Sequence, residues 1–229
     1  LISYRLGFHA EYTTKREILE GISELAQKYK APVFTHSSET KSEVEGCIER
    51  YGKTPTELFE EIGLWNWGGG GYHSVWLSGN DLQIYKKRGL WAIINAGSNS
   101  KLASGICDVQ KMSNMGINLA VGTDGPSSNN ALDMFREMYL ISVLQKLKYN
   151  DAAAMDANEI LKAATSGSAK CMGLTDCDCI AEGKLADLMI IDLERPNMQP
   201  INNITKNLVY SGSKDDVKMT MINGKILYE

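Results

Sequence analysis

Histidine is scarce in this sequence, three residues in 229, and no two of them form a His-x-His pair. Long apolar runs are missing as well. None approaches the roughly 20 residues that a membrane helix needs, so no membrane association is expected. Cationic residues do not cluster: 24 Lys and Arg stand interspersed among 28 Asp and Glu, for a net charge of −4. Without a basic stripe, nucleic acid is not an expected partner. Cysteine is present five times, at Cys47, Cys107, Cys171, Cys177 and Cys179. An odd count at irregular spacing reads as reduced cytoplasmic thiols rather than a disulfide frame. Cys171, Cys177 and Cys179 lie close enough for a metal knuckle, but no second Cys or His pair is near to complete four ligands. The chain opens on Leu1-Ile2-Ser3-Tyr4, without a methionine and without the pattern of a leader peptide. These residues read as an internal strand, which suggests a piece of a longer protein.

What is present is an ordinary globular composition, 43% hydrophobic and 23% charged, enough for one large domain or one domain with a small appendage. Leu1 to Phe8 reads as a buried strand that delivers His9. Thr14 with Glu17 forms a capping-box pattern, and Ile18, Leu19, Ile22, Leu25 and Ala26 recur at helical spacing. Pro32 ends that helix near Lys30. Val33 to Thr35 is the next strand, which completes a βαβ unit with its right-handed crossover. Helices follow over Ser42 to Tyr51 and from Thr54-Pro55. The glycine run Gly68 to Gly71 leads into Tyr72-His73-Ser74-Val75-Trp76, read as a strand. It is no phosphate loop, because no lysine follows and no helix opens. Ser78 and Asp81 start a helix, Leu90 to Ile94 is a strand, Ser98 to Gly105 a polar loop, and Val109 to Met115 a helix. Asn118 to Thr123 is a strand that leads to Asp124. Ala131 to Lys148 and Asp156 to Cys171 are helices.

Such alternation predicts a (β/α) barrel or a doubly wound sheet, with chemistry at the carboxyl ends of the strands. About five strands precede the long helix, short of the eight of a closed barrel. Beyond Gly183 the texture changes. Leu188 to Asp192, Ile204 to Tyr210, Val217 to Ile222 and Lys225 to Tyr228 read as short antiparallel strands, the last two joined by the hairpin signal Asn223-Gly224.

All three histidines, His9, His36 and His73, fall at or beside strand ends, as does Asp124, and Glu39 follows His36 by three residues. Taken alone, Val33 to Thr40 also reads as a capped strand-to-helix turn with Ser38 or Thr40 as the cap. Taken together, imidazoles and carboxylates on one rim suit Zn²⁺ or Fe²⁺ with a coordination position left for water. One carboxylate can take that water's proton, another can carry a proton to the leaving side, and an imidazole can steady developing charge.

The motifs Gly7-Phe8-His9-Ala10-Glu11-Tyr12-Thr13, Thr35-His36-Ser37-Ser38-Glu39-Thr40, Tyr72-His73, Ser98-Asn99-Ser100-Lys101-Leu102-Ala103-Ser104-Gly105, Gly122-Thr123-Asp124-Gly125 and Glu182-Gly183-Lys184-Leu185-Ala186-Asp187 occur in this order. In this the chain resembles the amidohydrolase superfamily, in its branch of chlorohydrolases and nucleoside deaminases, S-adenosylhomocysteine and methylthioadenosine deaminases among them. The resemblance implies the C-terminal part of a (β/α)8 TIM-type barrel over residues 1–180, followed by a small β-sandwich part over 181–229. It implies His36 and Asp124 as ligands of one divalent metal, Zn²⁺ or Fe²⁺. Glu39 would be the proton shuttle, His73 would orient the attacked centre, and Asp124 would double as base. His9, Ser98 and Asn99, with Glu39 and His73, would line the pocket. The implied activity is hydrolytic deamination of a purine nucleoside or similar N-heterocycle. Dechlorination, ring-amide hydrolysis and an inactive fragment are the alternatives, the last because the family's His-x-His ligands are absent from this chain. A small-molecule substrate, a cytoplasmic location and a homo-oligomer that covers unpaired strand edges complete the expectation.

Overall fold

The computed structural model describes residues 4–229, which form two compact units, one up to Leu119 and one from Ala120. The first unit alternates strands and helices. In order they are β1 (Leu6–Gly7), α1 (Arg16–Tyr29), β2 (Val33–Ser37), α2 (Lys41–Tyr51), α3 (Pro55–Glu61), β3 (Gly69–His73), α4 (Gly79–Arg88), β4 (Trp91–Ile94), α5 (Ala96–Lys101) and α6 (Val109–Met115). β5 (Asn118–Val121) completes a five-stranded sheet of order β1-β2-β3-β4-β5. Its registers run parallel, Leu6 opposite Val33, Thr35 opposite Gly71 and Tyr72 opposite Ile93. This is the expected α/β architecture, and in such sheets functional groups gather past the strands' carboxyl ends.

Local signals explain most of these elements. Thr54 with Glu57 and Ser78 with Asp81 form reciprocal capping boxes at the starts of α3 and α4. α1 buries Leu19, Ser23 and Ala26 along one stripe and ends at Lys30, left-handed at φ 51°. Four expectations for this unit are corrected. Of the buried strand expected from Leu1 to Phe8, residues 1–3 lie outside the described ones, and among the rest β1 is two residues of a sheet edge, only half-covered. Thr14 does not cap α1; it closes a 3-10 turn over Glu11–Thr13, and the cap position falls to Lys15, which makes no side-chain cap bond. The glycine run does not precede its strand but forms it. A Cβ on Gly69 would lie 1.8 Å from the Val33 carbonyl oxygen, and one on Gly70 would lie 2.4 Å from that of Trp91. Ser98 to Lys101 is not loop but the body of α5, whose Ser98 and Asn99 are buried, so tertiary packing overrides weak helix propensity.

In the second unit α7 (Pro126–Asn129) precedes α8 (Met134–Tyr149), which Asp133 caps. α9 (Ala157–Lys162) and α10 (Ser168–Cys171) are joined by a π-helical turn over Ala163–Gly167. The remaining elements are β6 (Leu188–Ile191), α11 (Ile204–Tyr210), β7 (Val217–Ile222) and β8 (Lys225–Tyr228), with the three strands in an antiparallel sheet. Ile204 to Tyr210 is thus a helix and not the expected strand. Asn203 caps it through the Lys206 N–H, Val209 is buried, and the Ser142 hydroxyl of α8 donates to the Tyr210 oxygen at 2.9 Å. The Asn223-Gly224 hairpin is present, with both residues at positive φ. Among the described residues no helix is long and apolar enough to cross a membrane.

Burial also separates the thiols. Cys47 is fully buried and its pKa is pushed up to about 12, mainly by burial and then by the nearby Glu11 carboxylate, whereas Cys179 is exposed. Because the thiolate is the reactive form, alkylation of the native protein at pH 8 is expected to label Cys179 and to spare Cys47 and Cys107. Peptide mapping by mass spectrometry reads this, and early labelling of Cys47 would contradict the packing of α2.

Candidate active site

β2 ends on His36-Ser37, and the His9 carbonyl lies beside it. That oxygen accepts the His36 backbone N–H at 3.0 Å, the Thr35 hydroxyl at 3.1 Å and the His36 Nδ1 at 2.7 Å. A carbonyl can only accept, so Nδ1 carries a proton, and in the neutral ring the lone pair lies on Nε2. The same logic holds for His9. Its Nδ1 lies 2.9 Å from the Thr13 hydroxyl, whose own proton goes to the Ala10 carbonyl. At His73 the Nδ1 donates to the Asn99 Oδ1 at 2.8 Å, and the ring is 1% exposed. In its neutral form each imidazole therefore carries the proton on the engaged Nδ1 and leaves the Nε2 lone pair available, the tautomer a histidine ligand requires.

The three rings lie together. Those of His9 and His36 are centred 4.9 Å apart, and those of His36 and His73 stack at 5.3 Å. One ligand nitrogen from each of His36 and His73 falls within 4.8 Å of the other. These donors fit a divalent metal ion of the borderline type that imidazole prefers.

Past β2 the chain turns sharply, with Ser38 left-handed at φ 54°, a conformation costing about 1–2 kcal/mol for a residue with a Cβ. Past β3, His73 and Ser74 are left-handed too, at φ 71° and 50°. The two turns are bonded to each other: the Ser38 carbonyl accepts from Val75 N at 3.0 Å and Trp76 N at 2.8 Å, and the Ser37 carbonyl from Ser74 N at 3.2 Å. This pairing brings Glu39 to His73, Oε2 standing 3.6 Å from Nε2. That is longer than a hydrogen bond and short enough for one small group to lie against both. The other oxygen of Glu39 accepts the buried Ser104 hydroxyl at 2.9 Å, and Ser104 is in turn held by Trp76 Nε1 on its carbonyl at 2.7 Å.

The first unit thus brings together His9, His36, Glu39, His73 and Asn99, with Ser98 buried beside Asn99 on α5. Two contributors were missed by sequence reasoning. Ser104 sat unremarked in a segment read as loop. Glu43, at 6% exposure, accepts the backbone N–H groups of Ser38 and Glu39, each at 2.8 Å. Its signal was the Thr40-x-x-Glu43 spacing of a capping box. Burial raises the Glu43 pKa, and the N–H bonds from Glu39 and Ser38 oppose that rise.

Asp124 lies in the second unit, past β5 and left-handed at φ 58°. Its Oδ2 accepts the Ser128 hydroxyl at 2.6 Å. The Asn129 amide braces the turn by donating to the Thr123 carbonyl at 2.6 Å and to the buried Glu137 carboxylate at 2.7 Å.

Known proteins resemble this chain along nearly its whole length. A 5-methylthioadenosine/S-adenosylhomocysteine deaminase of Pyrococcus furiosus is 42% identical over 227 residues, 99% of this chain and 54% of that protein. The crystal structure of an adenosine deaminase from Xanthomonas campestris, with bound zinc, superposes at a TM-score of 0.94 with 35% identity, covering all of this chain and 52% of that one. An atrazine chlorohydrolase from Arthrobacter aurescens, complexed with zinc, superposes at 0.90 with 22% identity over 98% of this chain and 50% of that one, a likeness of fold alone. The chain spans about half the length of the relatives it matches. The amidohydrolase family matches residues 1–227, and this chain belongs to it.

Proposed function

We propose that the intact protein is a metal-dependent hydrolase that deaminates a purine nucleoside or related N-heterocycle. His36 and Asp124 are metal ligands, Glu39 carries the proton, and His73 orients the attacked centre. The observation that carries this reading is the carboxylate of Glu39 set 3.6 Å from a buried imidazole whose tautomer Asn99 fixes. The names of the deaminase relatives support the leaving group. The metal of this reading is zinc, which is bound in the Xanthomonas relative, with one ion per site as part of the proposal; Fe²⁺ suits the same donors. Residues 1–180 form the barrel segment in this reading and 181–229 the small β part. Five thiols agree with a cytoplasmic protein, and a homo-oligomer belongs to the same proposal.

When bound, such a metal would supply Lewis acidity that lowers the pKa of a water to about 7. The protein's groups handle the rest. Water oxygen bonds to the ring carbon that bears the amine, the exocyclic C–N bond breaks, and ammonia leaves. Glu39 accepts a proton at Oε2, while Ser104 holds Oε1, and returns it to the departing nitrogen. Asp124 serves as a second base toward the water, and the second water proton ends on the ring nitrogen beside the attacked carbon, so that the products are a neutral lactam and ammonia. His73 holds the reacting carbon against Glu39, and His9, Ser98 and Asn99 face the remainder of the substrate.

A panel of substrates tests the leaving group. Methylthioadenosine, S-adenosylhomocysteine and adenosine are expected to release ammonia with kcat/KM at least about 10³-fold above a chlorotriazine or a cyclic amide, of the order that sites built around a polar group discriminate. Preferential chloride release or ring opening would overturn the deaminase assignment.

A further inference from the structure

α2 carries a face on which Glu43, Cys47 and Arg50 recur at helical spacing. Arg50 and Cys47 meet the buried Glu11: the Arg50 Nε donates to one carboxylate oxygen at 3.2 Å and its Nη2 to the other at 2.5 Å. That ion pair ties α2 to the turn that follows His9. One turn nearer the start of the helix, Glu43 reaches back past its own cap, Thr40, to the two residues that lead into the helix.

The contact differs from ordinary capping in what it holds. Both carboxylate oxygens are engaged, one by the Ser38 N–H and one by the Glu39 N–H. Charge-assisted bonds of this kind are about twice as strong as neutral ones. They fix the backbone of the strained Ser38 and of Glu39 itself, while the Val75 and Trp76 N–H groups hold the Ser38 carbonyl. The position of the Glu39 carboxylate is therefore set at its root by Glu43 and at its tip by Ser104.

We propose that Glu43 is a positioning residue of the reaction, acting through Glu39 without touching substrate or metal. This rests on the reading of Glu39 as the proton carrier. Proton transfer tolerates little displacement, and an error of about 1 Å can cost about 10²-fold in rate. Glutamine at position 43 keeps the volume but offers one acceptor, so its amide N–H₂ meets a backbone N–H that it cannot satisfy. Alanine keeps neither bond.

The test is steady-state deamination of methylthioadenosine by the intact zinc-loaded protein. Glu43→Gln is expected to lower kcat about 10- to 100-fold with KM within twofold, unchanged zinc content and a melting temperature within a few degrees of wild type. Glu43→Ala is expected to fall further. In a Glu39→Gln background the Glu43→Gln change is expected to add no further loss, because the group it positions is gone. A structural role alone would multiply the two effects. Unchanged kcat in Glu43→Gln, a multiplied loss in the double variant, or a parallel fall of kcat and bound zinc would each overturn the proposal. Wild-type turnover in Glu39→Gln alone would instead overturn the reading of Glu39, an outcome the single variants separate.

Discussion

Replacing Glu39 by glutamine is expected to lower turnover by about 10²- to 10⁴-fold, the range supplied by a positioned proton carrier, while bound metal stays near its wild-type level. The two side chains have the same shape. The Ser104 hydroxyl that donates to Oε1 at 2.9 Å can donate equally to an amide oxygen, so the turn after β2 has no reason to move. What changes is the atom that faces His73 Nε2: an oxygen able to bind a proton becomes an amide nitrogen that cannot. His36, oriented by the His9 carbonyl, and Asp124, braced by Ser128, are left alone. Parallel ammonia assays and metal analysis of the purified variant read both quantities. Turnover within a few-fold of wild type would remove Glu39 from the chemistry, and loss of metal in step with activity would make it a ligand.

Gly69→Ala is expected to destabilise the protein by at least about 4 kcal/mol, in the exceptional class of single substitutions. The added Cβ would meet the Val33 backbone oxygen at 1.8 Å, its carbon at 2.7 Å and its nitrogen at 2.7 Å. No side chain can swing away, because the obstacle is the neighbouring strand. The residue also sits at φ 121°, which L side chains rarely adopt. Relief requires β2 and β3 to separate, and these are the strands that deliver His36 and His73. The variant should melt cooperatively at a much lower temperature or fail to accumulate as folded protein. A melting temperature within a few degrees of wild type would contradict the register of Val33 opposite Gly69.

That same glycine run is where local sequence signals and the fold part company. Glycines usually punctuate strands, so Gly68 to Gly71 looked like an approach to one; only the close approach of two neighbouring backbones makes glycine the residue a strand interior needs. α5 was hidden for a related reason, since Ser98, Asn99 and Ser100 are poor helix formers alone and are held helical by burial. Ile204 to Tyr210 carries β-branched residues that favour a strand, and the Asn203 cap with the packing of Val209 decides for a helix. The site was better signposted. The βαβ pattern, read from periodicity and Pro32, places His36 and Glu39 at a strand's carboxyl end, and their proposed roles come from the family resemblance alone. What spacing could not show was the wiring between turns far apart in sequence, such as Ser104 to Glu39 or Asn99 to His73. Those bonds exist only once the sheet sets adjacent strand ends side by side.

The most direct test is ammonia release from methylthioadenosine by the intact protein before chelation, after exhaustive chelation, and after stoichiometric zinc is returned. Activity is expected to vanish with the metal and to return with about one zinc ion per chain, as a single site of this donor type requires. Full activity in the chelated, metal-free protein would contradict the proposed mechanism at its centre.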